Sequence, residues 1–187
     1  MLALTGLRCC GKTSVGRALA VLLGAEFVDL DDEIAAVGRR AGHASPSAGA
    51  LMAEVGEPRF RDLESLALSN ALERAGAFVL AAGGGVVERE ANRAALRAHA
   101  LCVHLDAPDD VLVERLERER GLRPALLAGE SPAQEVPRLR ARRAAHFAAL
   151  AALALDGGHE SVERIAARVA ARVDFGARYG FRLRPGA

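Results

Sequence analysis

The chain has 187 residues, of which 51% are hydrophobic and 26% charged, and its formal net charge is +1. A single domain of this size buries about 70% of the surface its unfolded chain exposes, which makes a disulfide or metal staple unnecessary and disorder untenable. The near-zero charge excludes an overall field toward nucleic acid or anionic membrane; no apolar run approaches the roughly 18–20 residues of a span and no leader pattern opens the chain, so a cytoplasmic protein with neither partner is expected.

Short apolar runs alternate with longer stretches of helical period, the pattern of a parallel α/β sheet. Residues 2–5 predict a first strand, followed by a glycine-bounded loop. Val15, Ala18, Leu19, Leu22 and Leu23 then recur at helical spacing, and the helix stops at Gly24. Residues 27–30 read as a second strand ending in the acidic cluster Asp29, Asp31, Asp32 and Glu33. Residues 35–49, rich in Gly, Ser and Pro, read as a loop with a short helix. A helix over 60–72, a buried strand over 77–81, the run Gly83-Gly84-Gly85, a helix over 88–98, a strand over 101–105 and a charged helix over 111–120 follow. Residues 121–137 hold two glycines and three prolines and form the one segment long and irregular enough for a mobile flap. A helix over 138–150, a strand over 152–156 and a helix over 161–173 complete a single domain. The tail, 174–187, is expected to be loose or packed on the surface.

The strongest local signal is Gly6-Leu7-Arg8-Cys9-Cys10-Gly11-Lys12-Thr13, which fits G-x-x-x-x-G-K-[ST] between a strand and a helix that continues at Ser14. In such a loop, backbone N–H groups and the positive end of the helix dipole converge on phosphate oxygens. Lys12 would reach the β- and γ-phosphates of ATP, and the Thr13 hydroxyl would hold Mg²⁺. Of the 25 basic residues, all but Lys12 are arginine. Barring chance survival, a lone lysine marks a place where a compact ammonium serves and a planar guanidinium does not.

Asp29 and Asp31 end the second strand, where ligands of an open parallel sheet sit; strand alternation would put both carboxylates on one side and Leu30 on the other. One could serve the metal and the other a substrate hydroxyl, although Asp32 and Glu33 also suit a helix first turn and leave capping as the plain alternative. Gly83, Gly84 and Gly85 let a ligand approach the backbone closely, where a simple turn needs one glycine. Arg61, Arg123 and Arg143 stand near motifs, whereas Arg118, Arg120, Arg138 and Arg140 read as solvated helix faces. Cys9, Cys10 and Cys102 lack metal-ligand spacing and read as reduced thiols, with Cys102 in the core.

The ordered set Gly6 to Thr13, Asp29-Leu30-Asp31, Phe60-Arg61-Asp62-Leu63-Glu64, Gly83 to Gly85, Arg123-Pro124-Ala125-Leu126 and Arg142-Arg143-Ala144-Ala145-His146-Phe147 resembles the shikimate kinase family over about residues 2–173. The resemblance implies a three-layer P-loop kinase fold, with a central five-stranded parallel sheet flanked by helices and a mobile lid at about 120–137. It implies Mg²⁺ and ATP, with shikimate as acceptor and a monomeric enzyme. Asp31, Arg61, Gly83, Gly84, Gly85 and Arg143 would hold shikimate, with the two arginines on its carboxylate, and Asp31 could accept the proton of the reacting hydroxyl. Lys12, Asp31 and Arg123 would be catalytic. Thr13 and Asp29 would support the metal, and Arg115 would lie near adenine beside the loop residues 6–14.

Three departures stand out. Cys9 occupies a loop position where the family usually carries glycine. The family's Arg-Ala-Pro-Leu-Tyr becomes Arg143-Ala144-Ala145-His146-Phe147, and the stretch 38–49 is longer than usual. The rival readings are a kinase for another small polyol acid such as gluconate, and a non-catalytic nucleotide-binding module.

Overall fold

The computed structural model of the chain describes residues 1–119, 130–174 and 180–186. Five parallel strands form the central sheet: β1 (Leu2–Thr5), β2 (Glu26–Asp29), β3 (Phe78–Ala81), β4 (Leu101–Asp106) and β5 (Leu153–Asp156), in the order β2-β3-β1-β4-β5. All four residues of β1 and of β3 are buried, odd and even positions alike. Both faces of the sheet are therefore covered, as all-apolar parallel strands require. The expected five-stranded sheet flanked by helices is present.

The strand order reverses at β1, which pairs with β3 on one side (Leu4 opposite Ala81) and with β4 on the other (Leu4 opposite Val103). This is the switch point of an open α/β sheet, and its crevice lies beyond the carboxyl ends of the strands. The loops after β1 and β3 thus become neighbours, although more than 70 residues of chain separate them.

Eight helices surround the sheet among the described residues: α1 (Lys12–Leu23), α2 (Leu30–Arg40), α3 (Ala48–Val55), α4 (Glu57–Leu72), α5 (Glu90–His99), α6 (Asp109–Arg118), α7 (Pro132–Leu150) and α8 (Val162–Arg172). α1 packs on α8 and β3, the trio α2, α3 and α4 packs on itself, and α5 and α7 lie against β4. α1 approaches β2 so closely at Gly16 that a Cβ there would stand 2.6 Å from the Phe27 ring. None of the helices is long and apolar enough to cross a membrane.

Three boundaries differ from the sequence expectation, each for a physical reason. The second strand ends at Asp29, and Leu30 already belongs to α2, so Asp29 is an N-cap and not one of an alternating strand pair. Residues 35–49, expected as a loop with a short helix, supply the end of α2 and the start of α3, joined by a brief turn. α7 begins at Pro132, six residues before the expected start. Proline at the first helical position gives up no intrahelical bond, and Gln134 Oε1 accepts from the Ser131 backbone N–H at 3.0 Å to cap the turn. Residues 120–129 of the expected lid lie outside the described residues. Val173–Asp174 (β6) pairs antiparallel with Arg182–Leu183 (β7), and Phe181 is buried in the core.

Candidate active site

The loop after β1 is shaped by three unusual backbone positions. Gly6 has φ 146°, and a Cβ there would overlap the Leu105 carbonyl. Gly11 has φ 97° and forms the N-cap of α1. Between them Cys9 has φ 62°, the one positive-φ non-glycine among the described residues. That is left-handed backbone, which a glycine adopts without the crowding of a Cβ.

α1 starts with no acidic residue in its first turn and no side-chain cap. Its first backbone N–H groups are therefore left for an anion, and the helix dipole favours one. Lys12 Nζ folds over the loop and donates to the Leu7 and Gly6 carbonyls at 2.7 and 3.1 Å. Its positive charge thus stands at the mouth of the loop. Together these groups line a cleft of about 360 Å³, closed on other sides by Asp29, Asp31, Ala81 to Gly84 and Arg115.

Thr13 Oγ1 donates to Asp29 Oδ2 at 2.8 Å, and Asp29 Oδ1 accepts the Asp31 backbone N–H at 3.0 Å. One carboxylate therefore both caps α2 and presents oxygen beside the Thr13 hydroxyl. Among the described residues no group of three or more His, Cys, Asp and Glu could hold a metal by itself. The hard-oxygen pair of the Thr13 hydroxyl and Asp29 fits Mg²⁺, which is commonly held by one or two carboxylates with substrate phosphates and water.

Behind the glycine run, outside the lining of that cleft, two arginines are gripped by carboxylates, and Arg61 opens on a second pocket with Glu57, Glu88, Arg142 and His146. Arg61, on α4, donates to Glu64 at 2.9 Å and to Glu57 at 3.2 Å. Its guanidinium lies over Gly85, where a Cβ would overlap it. Arg143, on α7, donates from Nε to Glu88 Oε1 at 2.7 Å, and its Nη2 stands 2.6 Å from the same oxygen as an ion pair. Glu88 ends a 3-10 turn (Val86–Glu88) that follows directly on the glycine run. A Cβ on Gly83 would stand 3.2 Å from Glu64 Oε1 and 3.5 Å from Asp31 Oδ1, so this glycine marks the point where those carboxylates converge. Likewise a Cβ on Gly84 would stand 3.4 Å from the Arg8 backbone nitrogen and 3.6 Å from Arg143 Nη1. Gly84 thus sits between the phosphate loop and the arginine.

Burial sets the protonation behaviour of this cluster. It pulls Arg143 below the usual guanidinium range, and Glu88 beside it opposes the fall. For Arg61 burial acts the same way, but Glu64, Glu88 and Glu57 together outweigh it and hold the pKa up. Glu64 is pushed above the ordinary glutamate range, chiefly by burial and further by the charge of Asp31, against the pull of Arg61 and Arg143. Arg143 Nη1 and Arg61 Nε are buried with no hydrogen-bond partner. Unpaired buried donors of this kind are costly, and they call for an acceptor.

The fold thus brings together the loop 6–14, Asp29, Asp31, Arg61, Gly83, Gly84, Gly85 and Arg143. Arg115 bridges the Cys9 carbonyl at 3.1 Å and the Gly158 carbonyl at 2.9 Å on the rim of the cleft. Arg8 pairs with the buried Glu135 of α7 at 3.1 Å. Arg123 lies outside the described residues. The arginines 138 and 140 stand apart from the cluster, Arg140 on Asp106 and Asp109. Cys102 is plain core, its thiol pushed up to about 11 by burial. Sequence reasoning assigned no part to Glu64, Glu88 or Glu135. Glu64 carried a usable signal, three residues after Arg61 on one helix face. Glu88 carried none, because 55 residues separate it from Arg143.

The family model described as shikimate kinase matches residues 8–174. A shikimate kinase of Nitratidesulfovibrio vulgaris is 45% identical over 147 residues, 78% of this chain and 79% of that protein. One of Rhodopirellula baltica is 37% identical over 171 residues, 90% of this chain and 87% of that protein. Among solved structures, the shikimate kinase of Acinetobacter baumannii in complex with shikimate superposes with a TM-score of 0.78 at 32% identity, covering 90% of this chain and 89% of that one. A P-loop, an N-capping Asp29 beside Thr13 and a buried arginine pair, joined to relatives of this closeness over most of the chain, leave one conclusion: the chain belongs to the shikimate kinase family.

Proposed function

We propose that this protein transfers the γ-phosphoryl group of ATP to the 3-hydroxyl of shikimate, giving ADP and shikimate 3-phosphate in the route to chorismate and the aromatic amino acids. The observation that carries the acceptor assignment is Arg143 Nη1, which is buried without a partner beside Gly84. A planar carboxylate accepts such a donor in the charge-assisted geometry that arginine presents.

The chain's residues have separable tasks. The first-turn N–H groups of α1 and the Lys12 ammonium bind and orient the phosphates. Thr13 and Asp29 would hold Mg²⁺, which neutralises charge on the phosphate oxygens when bound. Asp31 lines the same cleft and could take the proton of the attacking hydroxyl. Arg61 and Arg143, with the backbone of Gly83 to Gly85, would fix the far side of the acceptor by its carboxylate. Arg123 would meet the transferring group from a lid that precedes α7, since 132–137 belong to that helix, and Arg115 would lie near the adenine. Positioning supplies most of the rate, because an in-line transfer asks little covalent chemistry of the protein. This reading takes 1–173 as one kinase domain with the tail 174–187 appended, acting as a cytoplasmic monomer.

A kinase for an open-chain polyol acid is the nearest alternative. The two reactions are separated by ADP release from purified protein with Mg·ATP and shikimate, quinate, gluconate or no acceptor. Shikimate-dependent turnover that is lost in Asp31→Asn and Arg143→Ala supports the proposal. Turnover with gluconate alone discards the acceptor, and nucleotide binding without acceptor-dependent turnover discards the activity.

A further inference from the structure

We propose that Glu88 is a positioning residue for the acceptor: it fixes the Arg143 guanidinium so that only its outer edge is offered to the acceptor's carboxylate. The inference rests on the proposed function and deepens it. Arg143 is 2% exposed and Glu88 11%, so protein groups and not bulk solvent chiefly set the arginine's orientation. One Glu88 oxygen takes both Nε and Nη2 of Arg143, which consumes the side edge of the guanidinium plane. The other oxygen takes Arg142, a half-exposed neighbour that pins the carboxylate from the solvent side. Nη1 is left as the donor without a partner, beside Gly84. The connection is short and stiff, because Glu88 ends the 3-10 turn that begins immediately after Gly85. The backbone that approaches the ligand and the carboxylate that aims the arginine are thus one continuous segment.

The same cluster would favour a monoanionic acceptor. Arg61 and Arg143 contribute two positive charges, and Glu64 and Glu88 two negative ones, within a buried set. A carboxylate brings one further negative charge and a phosphate dianion two, into surroundings that screen charge poorly.

Charge and position predict opposite results for Glu88→Gln. If Glu88 only neutralised Arg143, its loss would make the clamp more positive and tighten an anionic acceptor. As a positioning residue, its loss frees Arg143 to rotate, and the amide nitrogen confronts one of the two arginines. The expected result is an acceptor KM raised roughly 10–100-fold, with the KM for ATP unchanged within about twofold. In the double variant Glu88→Gln/Arg143→Ala, acceptor KM and kcat should lie within about twofold of those of Arg143→Ala alone, because Glu88 touches Arg143 directly and reaches Arg61 only through its charge. An unchanged or lowered acceptor KM in Glu88→Gln overturns the inference, as does a further loss in the double variant. Should Glu88→Gln not fold, Glu88→Asp carries the same test, since it keeps the charge and withdraws the carboxylate by one methylene. Absence of shikimate turnover in the wild-type protein would reject the proposed function itself, and is thereby distinguishable from a failure of the Glu88 role.

Discussion

Thr13 Oγ1 donates a 2.8 Å hydrogen bond to Asp29 Oδ2, joining the first turn of α1 to the end of β2. The same Asp29 caps α2 through its other oxygen. The capping reading of this acidic cluster therefore does not exclude the proposed functional one, because one side chain is placed for both.

Asp29→Ala should show two separable effects. Loss of the N-cap destabilises the fold by about 1 kcal/mol, measured by urea unfolding. Loss of the oxygen beside Thr13 raises the Mg²⁺ concentration for half-maximal activity by roughly 10-fold, measured by magnesium titration at saturating ATP. A stability loss with an unchanged magnesium requirement would leave Asp29 as a cap alone.

Cys9 holds a left-handed φ of 62° in the phosphate loop. Relieving that conformation gains about 1–2 kcal/mol, offset by the roughly 0.5–1 kcal/mol that a glycine loses in chain entropy. Cys9→Gly is expected to raise stability by about 0.5–1 kcal/mol in thermal unfolding and to lower the KM for ATP. A drop in Tm would mean that packing of the thiol outweighs the backbone strain.

Gly85→Ala should disable the acceptor site without disturbing the nucleotide site. The added methyl group would overlap the Arg61 guanidinium, which must then leave its place against Glu64. The acceptor KM is expected to rise about 10-fold or more, while nucleotide affinity measured by calorimetry stays within about twofold. Equal damage to both would point to a collapse of the turn after β3.

Acid should act on Glu64 in opposite directions for activity and for stability. Its folded pKa lies above the ordinary glutamate range, through burial first and the Asp31 charge second. As pH falls through that raised value, the folded protein takes up a proton before the unfolded chain does, so this residue favours the fold more at lower pH. In the same window the neutral side chain releases its charged grip on Arg61. The acidic limb of kcat/KM for the acceptor should thus lie above the ordinary glutamate pKa, and Glu64→Gln should move it down. A limb unmoved by Glu64→Gln assigns it to another carboxylate.

The sheet was legible in the sequence because its strands are short, wholly apolar runs such as Leu2–Thr5 and Phe78–Ala81, bounded by glycines and helical repeats. The phosphate loop was legible because its chemistry is confined to eight consecutive residues. Helix ends were less so. Pro132 and Pro137 read as breakers, although proline at a first turn forfeits no bond and Pro137 is carried within α7. Asp29 and Asp31 read as an alternating strand pair because nothing local says that β2 stops one residue before Leu30. Glu64 lay within a local pattern beside Arg61, but the carboxylates that hold Arg143 and Arg8 were hidden for a different reason. Contacts such as Glu88 with Arg143, and Glu135 with Arg8 across 127 positions, depend on the placement of whole helices, which no local pattern encodes.

The central claim, that buried arginines seat the carboxylate of shikimate opposite the phosphate loop, is tested most directly by comparing shikimate with its methyl ester in the ADP-release assay. The ester keeps every hydroxyl and the ring, removes the negative charge and adds one methyl group, whose bulk Arg143→Ala controls for. The account predicts that kcat/KM falls by about 100-fold or more for the ester in the wild-type protein, and that Arg143→Ala largely abolishes the discrimination. Equal use of the two acceptors by the wild-type protein would contradict it.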